Sequence, residues 1–405
     1  MSTLDPRQLW IRLFLPFAAG YFLSYLYRTA NAVIGPVLAR DLGLGDNALG
    51  LLTSTYFLAF GAAQLPLGML LDRYGPRRVE ALLLTIAAIG AAAFAWSTSL
   101  GGLALGRALI GLGVSACLMA SFKAFSQWFP PERQASLTGW IMASGGLGAL
   151  AAAKPLELAL GFAGWREIVL ALAVVTLAVA AWIWWSVPDK PAAGPAAGFA
   201  EQLAGVRRIF ASRHFWRYAP MGFWMTGGFM AVQGLWATRW MTVMEGMARA
   251  EIAVRLTWIS AAMLAGFLFM GFFATALVRR GIRLENVYLG AMAAAVASLG
   301  SLTLFPAQGG DWLWPLLGVC FSLSNIAYSL VALAFPVALS GRANTALNLM
   351  AFAGAFGLQW GFGILVDVLQ ANGWAADGAF RVALATLLAG QVAALLWLFA
   401  SGRHR

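Results

Sequence analysis

Gly68-Met69-Leu70-Leu71-Asp72-Arg73-Tyr74-Gly75-Pro76-Arg77-Arg78 lies between two apolar runs, at residues 48–71 and 79–98. One acid and three arginines have no place in hydrocarbon, where nothing would satisfy their charge, so the stretch predicts a tight loop at one membrane face. Loops that stay in the cytoplasm collect Lys and Arg. The loop is therefore expected inside, and it orients the helices on either side of it.

The whole chain fits that reading. It has 405 residues, 61% of them hydrophobic and 11% charged, with a mean hydropathy of +0.77. Soluble domains carry about 25% charged residues, so this is expected to be an all-α polytopic membrane protein. The net charge of +11 is spread over loop anchors without a basic, aromatic-rich face. That pattern argues against a nucleic-acid partner and suits an anionic inner leaflet of the lipid bilayer. Cys117 and Cys320 fall inside apolar runs and read as small core residues, not as a disulfide framework. Met1 to Gln8 is polar and lacks a cleavage pattern, so the first apolar run is expected to be a retained span.

Apolar runs long enough to span fall at 12–34, 48–71, 79–98, 101–126, 137–160, 166–186, 217–242, 254–278, 285–305, 312–338, 345–369 and 379–400, which makes twelve transmembrane helices. With the N-terminus inside, Arg7, Arg12, Arg73, Arg77, Arg78, Arg133, Arg207, Arg208, Arg213, Arg279, Arg280, Arg342, Arg403 and Arg405 all become cytoplasmic. The expectation is an inner-membrane protein with both termini in the cytoplasm. Pro188, Pro191, Gly194, Pro195 and Gly198 break the pattern once. This divides the chain into a first six-helix bundle (1–187), a cytoplasmic linker with a possible amphipathic helix (188–215), and a second six-helix bundle (216–405). Val278-Arg279-Arg280-Gly281-Ile282-Arg283 holds in the second half the place that Asp72-Arg73-Tyr74-Gly75-Pro76-Arg77 holds in the first, without its acid.

The pattern Gly-x-x-x-Asp-Arg-x-Gly-x-Arg-Arg resembles the loop between helices 2 and 3 of the major facilitator superfamily. It matches at Gly68, Asp72, Arg73, Gly75, Arg77 and Arg78; Pro76 replaces an arginine. In that family the Asp packs on the positive N-terminal end of helix 11, as the helix dipole favours, and the arginines pair with neighbouring acids. Leu103-x-x-x-Arg107-x-x-Ile110-Gly111-Leu112-Gly113 resembles the family's fourth helix with its buried arginine. Pro131-Glu132-Arg133 resembles the family's loop after helix 4, Gly164-Trp165-Arg166 the start of its helix 6, and Gly341-Arg342-Ala343-Asn344 suits the loop before its helix 11. The resemblance implies two pseudo-symmetric six-helix bundles with a substrate site between them at mid-membrane. The fifth run carries Gly139, Ala143, Ser144, Gly145, Gly146 and Gly148 but not the Gly-Pro pair of the family's antiporters, and its small residues read as close helix packing.

Ionisable groups inside spans mark function. Arg28 lies deep in the first run, cannot lose its proton, and shares a helical face with Tyr21, Ser24 and Tyr25. Tyr25-x-x-Arg28 followed by Pro36 resembles the first helix of the organic-anion (anion:cation symporter) branch, where the Arg holds a substrate carboxylate. Tyr27 stands where that branch usually has Asp. Arg107 has a tuning role in the family and equally reads as an interhelical anchor. Lys123 sits where a lining helix meets the inside, and Lys154 is expected to pair with Glu157. The second half offers polar contacts at Gln233, Trp236, Asn325, Tyr328 and Gln359. Asp72, Glu80, Glu157 and Asp367 all read as span-end acids, so no mid-depth carboxylate is expected and the buried charge is net positive.

These features predict a secondary transporter that carries a small organic anion by alternating access. Its partners would be that substrate, a proton or sodium co-substrate and the bilayer, and it would act as a monomer. Proton-coupled export of amphipathic drugs is the alternative. No cofactor, metal site or enzymatic activity is expected, since no phosphate loop, ligand cluster or catalytic triad occurs.

Overall fold

The computed structural model describes residues 5–129, 134–189, 199–305, 310–332, 334–335 and 337–402, and their regular structure is helical throughout. Helix α1 (Pro6–Leu9) passes through a π-helical stretch, Trp10–Phe14, into α2 (Leu15–Thr29) and α3 (Asn31–Leu42). Then come α4 (Asp46–Tyr74), α5 (Pro76–Trp96), α6 (Leu100–Gly113), α7 (Cys117–Trp128), α8 (Gln134–Ala151), α9 (Lys154–Ala159) and α10 (Trp165–Ser186). Helices α11 (Phe199–Phe210) and α12 (Arg213–Met221) follow. A π-helical stretch, Gly222–Gly227, then α13 (Gly228–Ala231) and a second π stretch, Val232–Trp236, lead into α14 (Ala237–Met244). The remaining helices are α15 (Arg249–Arg279), α16 (Leu284–Leu304), α17 (Gly310–Ser324), α18 (Ile326–Ala332), α19 (Val337–Ala371) and α20 (Ala376–Gly402).

Among the described residues, 9 helical segments are long and apolar enough to cross a membrane. The other three stretches read from the sequence are helical too: α4, α8 with α9, and the run from α12 to α14. The expected linker 188–215 lies partly outside the described residues, and its amphipathic segment is α11.

The clip at 68–78 is tighter than its sequence suggests. Helix α4 runs on through Asp72 and Arg73 to Tyr74, and Gly75 alone makes the turn. Its φ of 80° is one that a side chain rarely adopts. Pro76 starts α5 at the first helical position, where its missing N–H costs nothing. Gly281, the matching position of the second half, has the same φ of 80°.

Proline also shapes the helices from within. Pro36 removes the N–H that would bond the carbonyl of Ala32, and the Thr238 hydroxyl donates to that carbonyl at 2.9 Å. Pro220 likewise frees the carbonyl of Trp216, which accepts from Trp397 Nε1 at 2.8 Å.

The helices pack as two bundles. In the first, α2 lies on α8 and α10, α4 on α6, and α5 on α6 and α10; in the second, α15 and α16 lie on α17, and α19 on α20 and the Gly222–Gly227 stretch. The bundles meet along α4 with α19 and α8 with α15. The small residues of α8 allow close packing on both sides: a methyl on Gly146 would come within 2.8 Å of Leu264 Cδ1 across the bundles, and one on Gly145 within 2.7 Å of the Tyr21 and Tyr25 rings of α2 in its own bundle.

Candidate functional site

The α4–α19 seam runs antiparallel. At one end, Asp46 pairs with Arg239, the Asn47 amide donates to Asp367 Oδ2 at 3.0 Å, and Trp360 Nε1 donates to Asn47 Oδ1 at 2.8 Å. Further along, a methyl on Gly50 would come within 3.1 Å of the Gln359 carbonyl, and one on Gly61 within 3.1 Å of Phe352 Cβ. Asn348 Nδ2 then donates to Gln64 Oε1 at 3.3 Å. Beyond that, a methyl on Gly68 would meet nothing among the described residues within 4 Å. Among the described residues, the ties across the seam run from its Asp46 end as far as Gln64 and Asn348.

Midway along it lies Arg28, which is 7% exposed. Its guanidinium carbon is 4.5 Å from the centre of the Tyr25 ring and 5.3 Å from the centres of Phe60 and Phe352, which stack on each other at 4.0 Å. Phe60 comes from α4 and Phe352 from α19, so the cation rests on the joint between bundles. The Tyr56 hydroxyl engages the guanidinium, and the Tyr21, Tyr25 and Tyr328 hydroxyls lie within its field. Tyr328 donates to Asn348 Oδ1 at 2.8 Å, which completes a chain Tyr328–Asn348–Gln64 across the seam. Among the described residues Arg28 has no carboxylate partner, and its Nε has no hydrogen bond. A buried cation without a counter-charge is costly. Aromatic faces and hydroxyl dipoles offset part of that cost without supplying a counter-charge.

Of the sequence-predicted contacts, Tyr21, Tyr25 and Tyr328 are thus brought around Arg28. Ser24 is not: its hydroxyl is turned to the carbonyl of Val114, 3.4 Å away. Gln233, Trp236 and Gln359 group nearer the Asp46 end, where Trp236 Nε1 donates to the Gln359 carbonyl at 3.0 Å. Gln233 Nε2 and both side-chain polar atoms of Gln359 are buried without partners. Gln233 and Trp236 sit in a π-helical stretch, a distortion common at functional sites. Asn325 bonds its own helical turn through Ser322 O at 3.2 Å. Lys123 is half-buried on α7. Arg107 donates to the Tyr27 carbonyl at 3.2 Å and lies over the Tyr56 ring, anchoring α6 to α2. Lys154 pairs with Glu157 at 2.7 Å.

In the clip, Arg73 lies over Tyr74, Arg77 over Trp184, and Arg78 pairs with Asp189 at 2.9 Å. The side chain of Asp72 and residues 131–133 lie outside the described residues.

Sequence reasoning missed Tyr56, Phe60 and Gln64, although their spacing of four places them on one face of α4. It placed Glu80 near a span end, where the structure has it in the second turn of α5, but did not foresee its burial. Glu80 is 0% exposed, packed under Gly20 of α2 and Cys117 of α7, and neither of its oxygens has a hydrogen-bond partner. Two cavities open elsewhere, both in the second bundle; the roomier, about 190 Å³, is apolar and lined by Trp224, Trp236, Phe362 and Leu387. Neither includes Arg28.

The comparisons with known proteins agree with this architecture. The family model described as Major Facilitator Superfamily matches residues 17–358. A probable sulfoacetate transporter, SauU, of Cupriavidus necator is 26% identical over 39% of this chain and 36% of its own. The hexuronate transporter of Escherichia coli K12 is 28% identical over 36% of this chain and 34% of its own. The match thus spans about a third of the length of these curated relatives. Among solved structures, a bacterial homologue of the human lysosomal transporter Spinster, inward-facing and unoccupied, superposes with a TM-score of 0.79 at 17% identity, covering 99% of this chain and 98% of that one.

Proposed function

The chain belongs to the major facilitator superfamily, and from that premise we propose that it carries a small organic acid across the inner membrane by alternating access. The observation that carries the proposal is the guanidinium of Arg28, buried on the joint between bundles with no carboxylate beside it among the described residues. A substrate carboxylate or sulfonate supplies the missing charge and can take two parallel N–H donors from the guanidinium fork. The tyrosine hydroxyls and the Tyr328–Asn348–Gln64 chain then bind the polar remainder. The similarity to transporters named for sulfoacetate and hexuronate supports an acid of that size.

With the arginine-rich clip in the cytoplasm, the tied Asp46 end is the outer gate, closed, and the Gly68 end faces inward. In the opposite state α4 and α19 close at Gly68 and Asp72, and the outer ties release. That exchange of contacts is a rocking of one bundle on the other.

The test is thermal stabilisation of purified protein by sulfoacetate, galacturonate, nitrate and a cationic amphiphile, repeated with Arg28→Ala. Ligands that bind the folded state raise its stability. A rise with an organic acid that vanishes in the variant is the expected result. A rise with the cationic amphiphile alone would sink the reading and favour drug export.

A further inference from the structure

Glu80 is a carboxyl that the site around Arg28 does not use. It lies in the second turn of α5, sealed on the side facing α2 by Gly20: a methyl there would overlap Glu80 Oε1. The Cys117 thiol of α7, a weak donor, is the polar group turned toward it. The cations nearby are engaged elsewhere. On α5 itself, Arg77 lies over Trp184 and Arg78 pairs with Asp189. On α2, Arg28 rests on Tyr25; on α4, Arg73 lies over Tyr74 and Tyr56 faces Arg28; on α6, Arg107 bonds the Tyr27 carbonyl. On α10, Arg166 lies over Trp165, and Glu167 is turned back to Gly164. Lys123 is on another face of α7, six positions along from Cys117. A carboxylate buried without a cation or a full set of donors is far costlier than the neutral acid.

Resting on the transport reading above, we propose that Glu80 is the proton-carrying group of the transport cycle, neutral in the state seen here. Gly20 directly precedes Tyr21, whose ring belongs to the Arg28 cluster, and Arg28 lies about 12 Å further along the same helix axis. When α2 shifts against α5, water reaches the carboxyl. Its O–H bond breaks, the proton passes to water, and the carboxylate remains until a proton from water reloads it. One proton moved with one monovalent anion makes the cycle electroneutral.

Two measurements test this. The first is the infrared carbonyl stretch of a protonated carboxyl in purified protein at neutral pH. It is expected in the wild type and lost in Glu80→Gln, an isosteric neutral variant; no difference between the two would overturn the proposal. The second is galacturonate accumulation in proteoliposomes under an imposed proton gradient. Glu80→Gln is expected to fall to the level reached without a gradient while galacturonate still stabilises it, and Glu80→Asp to keep part of the coupling. Accumulation by Glu80→Gln equal to wild type would overturn the proposal. If galacturonate neither stabilises nor enters with the wild type, the cargo reading fails, and the infrared difference alone decides whether Glu80 holds a proton.

Discussion

Thr238 of α14 donates to the carbonyl of Ala32 at 2.9 Å, the group that Pro36 leaves without a helical partner on α3. The bond crosses from the second bundle to the first at the tied end of the seam. A sequence feature that weakens one helix thereby becomes a latch on the other bundle. In the proposed opposite state this carbonyl would need another partner or water.

Thr238→Val keeps the shape and removes the donor. An unsatisfied buried carbonyl costs about 1–3 kcal/mol, so the state tied at Asp46 should lose population. The check is disulfide cross-linking between cysteines placed at Asn47 and Asp367, whose groups are 3.0 Å apart, in a background with Cys117 and Cys320 replaced. Cross-linking should slow in Thr238→Val; an unchanged rate would mean that the bond does not bias the gate.

Asp46 and Arg239 make the charged tie at the same end, with Asp46 only 7% exposed. Arg239 keeps 29% of its side chain exposed, so stranding either partner costs on the order of 1–3 kcal/mol, below the figure for a fully buried pair. Asp46→Asn and Arg239→Gln should each slow the same cross-link. The double variant should cost less than the two singles added, because the second change removes a group already stranded. Additive costs would show that the two residues act separately.

The aromatic joint gives a third test. Arg28→Lys keeps the charge but loses the planar fork and the ring stacking, so stabilisation by an organic acid should weaken strongly, while the fold persists. Phe352→Ala removes one face under the guanidinium and half of a stacked pair. It should lower both the thermal midpoint and ligand affinity. Full ligand response in both variants would leave Arg28 a purely structural residue.

Much of this architecture is legible in the sequence because hydrophobic length and loop charge are local signals. The clip at 68–78 and the deep Arg28 stand out against an apolar background. What is not legible is non-local. Nothing around Phe352 says that it will stack on Phe60, since the pairing depends on the register of α4 against α19. Glu80 lies four positions from the start of its helix, as a span-end acid should, but packing of α2 and α7 over it takes it from water entirely, which its sequence position does not show. Ser24 shares a helical face with Arg28, yet a nearby carbonyl draws its hydroxyl away. Spacing places a residue on a face; neighbours decide what that face meets.

Gly145 tests how the site is shaped. A methyl there would lie 2.7 Å from atoms of both the Tyr21 and Tyr25 rings. Gly145→Ala must displace rings that surround Arg28, so ligand affinity should fall. Gly361→Ala, where a methyl meets nothing within 4 Å, is the control and should leave affinity unchanged. Equal effects would show that the rings tolerate displacement.

Gly68 tests the proposed cycle. In the structure a methyl on Gly68 would meet nothing among the described residues within 4 Å. In the state where that end is closed, the continuing antiparallel register brings Gly68 against the first turns of α19, and small residues are what allow such close approach. A bulkier residue should therefore cost little in the state seen and much in the other. Gly68→Val should speed the Asn47–Asp367 cross-link, the opposite of Thr238→Val, and slow turnover without weakening ligand-induced stabilisation. Combining the two substitutions should return cross-linking toward the wild-type rate, since they load opposite sides of one equilibrium. If Gly68→Val slows the cross-link, or leaves turnover intact, the two ends of the seam are not exchanged during the cycle, and the rocking scheme fails.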